Sequence, residues 1–202
     1  MHPIHSAFDR IRRIRAQIFT FLLAPGMYKI GKKTRIIPPL RFANLSLVEL
    51  GNRVVIQSDC WINILTFPCD QGAPKLVIGD YTGIGMNCSF AVAESVRVGS
   101  HVLFGRNIYV SDHSHEYCDV SIPMTHQGIR KIVPVTIGDE SWLGNNVVVL
   151  PGGIIGKHCV IGANSVVNST IPDFSVAAGA PAKVIRKYSP DSAQWEPVTL
   201  HE

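Results

Sequence analysis

Two histidines interleaved with two carboxylates fall within seven residues of this 202-residue chain, in the stretch Ser111-Asp112-His113-Ser114-His115-Glu116-Tyr117, and a third histidine, His126, follows nearby. An imidazole titrates near neutrality and accepts a proton from a hydroxyl as that hydroxyl attacks, so His113 and His115 are candidates for a general base. Asp112 or Glu116 would orient the ring through its other nitrogen. Read without their surroundings, the same residues are solvated groups on a loop. The cysteines offer less chemistry. Cys60, Cys69, Cys88, Cys118 and Cys159 are odd in number and have no CxxC spacing, so they suggest neither a zinc ribbon nor a disulfide framework. They read as small core or corner residues of a protein in a reducing compartment.

The frame that must hold these groups is set by a repeat. From Ile137 an aliphatic residue recurs at every sixth position, through Leu143, Val149, Ile155, Ile161 and Val167, and Gly138, Gly144, Gly156 and Gly162 stand just after four of them. The same beat runs earlier through Ile30, Ile36 and Phe42, then Leu50, Ile56 and Ile62, then Ile78, Ile84 and Phe90, then Val98, Phe104 and Val110. Six is neither the 3.6 of a helix nor a plain alternation of two. Each hexad therefore reads as a short strand plus a corner, with the aliphatic residue inward and a small residue letting the backbone turn. Three sides close a coil, and stacked coils pair as parallel strands into a prism. Aromatic content of 8% suits a core that thin.

The interruptions of the beat divide the chain. Residues 1–29 form a capping segment, with Phe8, Ile11, Ile14, Ile18, Phe21 and Leu22 on one face of an amphipathic helix, arginines opposite, and a stop at Pro25-Gly26. Residues 30–186 are the repeat domain, broken by a loop at 63–75 and a longer projecting loop at 111–132. Residues 187–202 read as a polar tail, draped over the domain or disordered. A hydrophobic content of 46% against 17% charged excludes disorder for the whole, and a net charge of +4 concentrated near the N-terminus argues against a nucleic-acid partner. The most apolar run, Ile18 to Ala24, is far short of a membrane span, and no secretory signal opens the chain. A cytoplasmic protein is expected, at most peripheral at the inner face of a membrane.

The segment Ile137-Gly138-Asp139-Glu140-Ser141-Trp142-Leu143-Gly144-Asn145, with Leu150-Pro151-Gly152-Gly153, Val160-Ile161-Gly162-Ala163-Asn164 and the ending Ala178-Gly179-Ala180-Pro181-Ala182-Lys183-Val184-Ile185-Arg186, resembles the hexapeptide-repeat O-acetyltransferases. The ending is similar to the maltose and galactoside branch, whereas the loop around Asp112-His113-Ser114-His115 looks more like the subgroup acting on cell-surface polysaccharides. The resemblance implies an all-β fold, a left-handed parallel β-helix, assembled as a homotrimer. It also implies acetyl-CoA as co-substrate and a saccharide hydroxyl as acceptor. Carried over by the count past Val110, it makes His115 the base with His113 a supporting partner or acceptor contact, whereas aligning the Asp112-His113 pair on the Asp-His or Thr-His step of other relatives selects His113. Asn145 and Ala163 would then line the pantetheine arm, Trp142 would lie near the acetyl end, and Lys183 and Arg186 would meet the nucleotide phosphates.

Two other functions share the prism. Metal-dependent carbonic anhydrases of this fold draw three histidines across a trimer interface, and His101, His113, His115, His126 and His158 supply candidates here. The Pro-Ala-Lys ending and the Trp-Leu-Gly-Asn segment belong instead to the acyltransferase pattern, so no metal is expected. A non-catalytic scaffold is the third reading. For the N-terminal helix, capping the open end of the solenoid is the first expectation and contact with a membrane through its basic face is the second.

Overall fold

The computed structural model describes residues 3–198, with side chains from Arg10 onward. The chain winds left-handed around three parallel sheets that form the faces of a prism. The first face begins at Lys29–Ile30 and ends at Thr170–Ile171, the second runs from Arg35–Ile36 to Ser175–Gly179, and the third from Leu40–Ala43 to Val166–Val167. Where the coils are regular, each turn takes 18 residues, so that Trp142 pairs with Val160 and Val148 with Val166. The beat residues stack in three inward columns, such as Ile56, Ile84, Phe104, Leu143 and Ile161, all buried. Full burial of each such side chain contributes about 1.5–3 kcal/mol.

Two corners are nearly uniform, and their sequence shows why. The first residue after the strand is glycine in most coils, Ile37, Gln57 and Pro172 excepted, because neighbouring coils approach there: a Cβ on Gly138 would lie 2.6 Å from the Gly156 carbonyl carbon, and one on Gly144 would lie 2.7 Å from the Ala163 nitrogen. The third corner residue takes a left-handed backbone. Between the second and third faces it is Asn87, Asn107, Asn146 and Asn164, with φ of 59–61°. Asparagine tolerates that conformation, and here the amides bond in a ladder, each to the next, at 2.9–3.0 Å.

All the irregularity is placed at the remaining corner, between the third and first faces. The chain crosses it with three residues between Val92 and Val96, eleven between Ile64 and Leu76, and twenty-three between Ser111 and Val135. The long loops therefore project from one edge of the prism.

Three expectations need correction. Phe42 keeps the beat but is 47% exposed, and Ile30 is half-buried, because the first coil has a neighbour on one side only. The helix Pro3–Leu23 does cover that coil, but not with its apolar stripe: Ala16, Phe19, Thr20 and Leu23 face the solenoid, and the Thr20 hydroxyl accepts the Ile36 N–H at 2.8 Å. Ile11, Ile14, Ile18, Phe21 and Leu22 point outward, and Phe8 lies outside the described side chains. Finally, of the segment expected as a tail from residue 187, the described part to 198 is two strand pieces joined by a turn. Ala182–Ser189 pairs antiparallel with Ser175–Gly179, Gln194–Pro197 pairs with the far side of it, and Trp195 packs edge-on to Tyr188 with centroids 5.6 Å apart. Among the described residues no helix is long and apolar enough to cross a membrane.

Candidate active site

Asp112 opens the longest of the edge loops and is wholly buried. Its carboxylate accepts the Ala93 N–H on Oδ1 at 2.8 Å, and the Glu94 and Ser95 N–H groups on Oδ2 at 2.8 and 2.7 Å. These three donors come from the short crossing one coil earlier. With three N–H groups pointing at it, this carboxyl group serves as a hydrogen-bond acceptor on both oxygens. His113 Nδ1 lies 2.9 Å from Asp112 Oδ1, so Nδ1 carries the hydrogen and donates it. In the tautomer with that hydrogen on Nδ1, Nε2 carries the lone pair. It makes no hydrogen bond among the described residues and is not buried.

The backbone of His113 is fixed as well. The Ser111 hydroxyl donates to the His113 carbonyl at 2.8 Å and accepts the His113 N–H at 3.3 Å. The ring itself is 9% exposed. His115 is different: it lies on the outer section of the loop, paired with Ile129 in a two-stranded ribbon, exposed and without a carboxylate partner among the described residues. Glu116 does not orient it. That carboxylate accepts the Tyr117 and Cys118 N–H groups and faces Arg130, and the two N–H groups hold its pKa below the ordinary value. Arg130 in turn covers the Tyr117 ring at 4.7 Å. The loop is thus a braced arm.

A buried lysine supports the other side. Lys75 Nζ donates to the carbonyls of Leu65 and Ala93 at 2.9 and 2.7 Å and pairs with Asp70 at 2.8 Å. Ala93 is therefore held through its carbonyl by Lys75 and holds Asp112 through its N–H. Beside it opens a cavity of about 420 Å³ walled by Phe67, Asp70, Lys75, Glu94, Arg97 and Ile132. His113 is not among its walls.

The expected donor residues lie elsewhere. Trp142, Val160, Val176 and Arg186 form one row across the second face, and Trp142 and Arg186 share an open groove of about 570 Å³ with Glu140, His158 and Trp195. Asn145 and Ala163 are stacked in the same position of the adjacent corner, where the Asn145 side-chain oxygen already accepts the Arg106 N–H at 2.8 Å. Lys183 is exposed on the added strand opposite Ala178 and stands outside the groove. In a three-faced prism the edge that carries His113 is opposite the second face, so His113 and the Trp142–Arg186 groove point apart within one chain.

Residues 134–169 match the family model described as bacterial transferase hexapeptide (six repeats). A candidate acetyltransferase of Saccharomyces cerevisiae, YJL218W, is 39% identical over 170 residues, covering 81% of this chain and 84% of that protein. The chain belongs to the hexapeptide-repeat acetyltransferases. A candidate lipopolysaccharide-biosynthesis O-acetyltransferase of Escherichia coli, WbbJ, is 41% identical over 125 residues, 59% of this chain, and the match spans 61% of WbbJ's own length. Among solved structures, the hexapeptide-repeat acetyltransferase VCA0836 of Vibrio cholerae superposes with a TM-score of 0.61 at 25% identity, over 90% of this chain and 89% of that one. The same protein complexed with acetyl coenzyme A gives 0.56 at 26% identity, over 85% and 77%.

In this member of the family, the residue types and spacing along the chain do not mark Asp70, Lys75, the 93–95 crossing or Trp195 as parts of a site. Lys75 carried one legible signal, a cation abutting the apolar run Leu76-Val77-Ile78. The 93–95 crossing acts through backbone N–H groups, which leave no mark on side-chain identity. Of the histidines offered as metal ligands, His101 is stacked on Tyr81 and His158 pairs with Glu140. No three His, Cys, Asp or Glu side chains among the described residues are grouped to hold a metal ion.

Proposed function

We propose that this chain transfers the acetyl group of acetyl-CoA to a hydroxyl of a saccharide, with His113 as general base. The observation that carries the proposal is the 2.9 Å contact of His113 Nδ1 with the buried Asp112 carboxylate, an arrangement that directs the Nε2 lone pair away from Asp112. Acetyl-CoA bound to VCA0836 and the lipopolysaccharide role in WbbJ's description support the donor and the acceptor class.

In this mechanism Nε2 of His113 takes the proton of the acceptor hydroxyl as its oxygen attacks the thioester carbonyl. Asp112 stabilises the imidazolium that forms, without itself taking the proton. Backbone N–H groups of the rigid coils hold the oxyanion. The tetrahedral intermediate collapses by breaking the C–S bond, and the departing thiolate receives the proton from His113. One acetyl ester and one free thiol result. Trp142 and Arg186 fit the donor's acyl end and phosphates, with Lys183 as a second cation farther along the strand.

Because the His113 edge and the Trp142–Arg186 groove point apart in one chain, a site that joins them needs a second copy. A homotrimer, in which each arm reaches a neighbour's groove, meets that need. His115, exposed on the arm, is then placed to contact the acceptor rather than to take its proton. Release of free thiol from acetyl-CoA, followed across a panel of sugars, sugar nucleotides and oligosaccharides, tests the reading. Acceptor-dependent release with a matching ester product is expected. Release that is the same with and without every acceptor, with no saccharide ester formed, would remove it.

A further inference from the structure

The N-terminal helix docks by its less apolar side and leaves its more apolar side uncovered. Ile11, Ile14, Ile18, Phe21 and Leu22 follow one another at helical spacing, and Phe21 and Leu22 are 77% and 68% exposed. Arg15 stands four residues from Ile11 and three from Ile18, and Arg10 stands four from Ile14, so arginines border this stripe on both sides.

Charge is concentrated at the same end of the molecule. Residues 10–48, the helix and first coil, hold nine of the 19 lysines and arginines and none of the 15 acidic residues, a formal +9 that leaves −5 for the rest of the chain. Of the cavities that open between helix and coils, two gather three cations each. One, of about 150 Å³, is lined by Arg12, Arg13 and Arg35, and the other, of about 380 Å³, by Lys33, Arg35 and Arg53, with no carboxylate in either wall. None of these five cations pairs with a carboxylate among the described residues.

We propose that this end is a docking surface for an anionic lipid membrane: the stripe enters the acyl boundary while the arginines and lysines around it take lipid phosphates. An apolar strip bordered by cations is the pattern of a helix lying in the plane of an interface. A second copy stacked end to end fits less well, because it would bring the same positive excess together, and a side-by-side copy leaves the cations around the stripe without partners. A soluble polyanion explains the cations but not the exposed Phe21 and Leu22. The proposal stands on the helix and does not depend on the acetyl-transfer reading.

Sedimentation of the full chain with vesicles tests it, using phosphatidylcholine alone and phosphatidylcholine mixed with phosphatidylglycerol, at low and high salt. Binding at least about tenfold stronger to the mixed vesicles, weakened by salt, is expected. The triple variant Ile14→Ser, Ile18→Ser, Phe21→Ser should lose about tenfold or more of that binding. Its melting temperature should be unchanged, since these side chains touch solvent. Three outcomes overturn the proposal: no binding of the wild type to the mixed vesicles; equal binding by the triple variant, which makes the contact purely electrostatic; or a smaller assembly in the variant with no vesicle binding by either protein, which makes the stripe a contact between copies.

Discussion

His113 Nδ1 lies 2.9 Å from Oδ1 of Asp112, and Asp112 is in turn tied to the Ala93, Glu94 and Ser95 N–H groups of the preceding coil. The carboxylate that holds the His113 ring is therefore itself held by a neighbouring turn of the solenoid. Asp112→Asn puts an NH₂ group where an N–H donor already points. We expect a loss of about 2–4 kcal/mol in stability, read as a fall in melting temperature of roughly 2–4 °C per kcal/mol, together with a large fall in kcat. Unchanged melting and turnover would show that the carboxylate is not needed.

Lys75 tests the next link in that chain. Lys75→Met strands the carbonyls of Leu65 and Ala93 and leaves Asp70 unpaired. The expected signature is a lower kcat with the KM for acetyl-CoA unchanged, since the donor groove is on the opposite side of the prism. A raised donor KM with kcat intact would place the effect elsewhere.

The same pair gives a pH dependence. Hydrogen bonds from Lys75 and the Phe67 N–H hold the Asp70 carboxyl below its ordinary value of 3.8. A depressed pKa in the folded state means that the unfolded chain binds the proton first, so the contribution is complete above the unfolded value and is lost as pH falls through the folded one. Thermal melts of wild type and Asp70→Asn should differ most at neutral pH and converge in acid below 3.8. A difference that grows on acidification would contradict this.

Gly144 tests the stacking of the coils. Gly144→Ala places a Cβ 2.7 Å from the Ala163 nitrogen, and overpacking of this kind costs about 1–3 kcal/mol. Differential scanning calorimetry should show the loss, and a variant as stable as the wild type would mean that the corners yield.

The donor assignment and the use of two chains are tested together. Arg186→Ala and Lys183→Ala should each raise the KM for acetyl-CoA, the loss per charged contact being about 1–3 kcal/mol. Subunits carrying Arg186→Ala and Lys183→Ala, unfolded and refolded with subunits carrying His113→Ala and assayed at acetyl-CoA well below the raised KM, should show more activity than either parent alone. No recovery in mixed assemblies would favour sites contained within one chain.

The prism was legible because its core is one residue per hexad: the period printed itself in Ile137, Leu143, Val149 and their successors, and the glycine that follows most of them marks where coils touch. Phe42 kept the period and still lies half-exposed, because a pattern does not record that the first coil lacks a neighbour. The helix misled for a related reason. Amphipathicity shows which face is apolar, but Ala16 and Thr20 fit the coil closely enough to make the other face the docking one. At the site, residue types drew attention to His113 and His115 together, and counting along the chain favoured His115. What separates them is Asp112, whose partners lie 17 to 19 residues earlier and are all backbone. Trp195 was assigned to a tail because no repeat reaches it; its place follows from an antiparallel return that the hexad beat does not encode.

The most direct measurement is single-turnover acetyl transfer by His113→Ala and His115→Ala, with acetyl-CoA affinity measured separately by calorimetry. His113→Ala should lower the rate by about 10²–10⁴ with donor affinity preserved, and His115→Ala should be much milder, acting mainly on acceptor KM. Transfer that persists in His113→Ala and disappears in His115→Ala would contradict the account, and would mean that the histidine held by Asp112 is a structural brace for the arm.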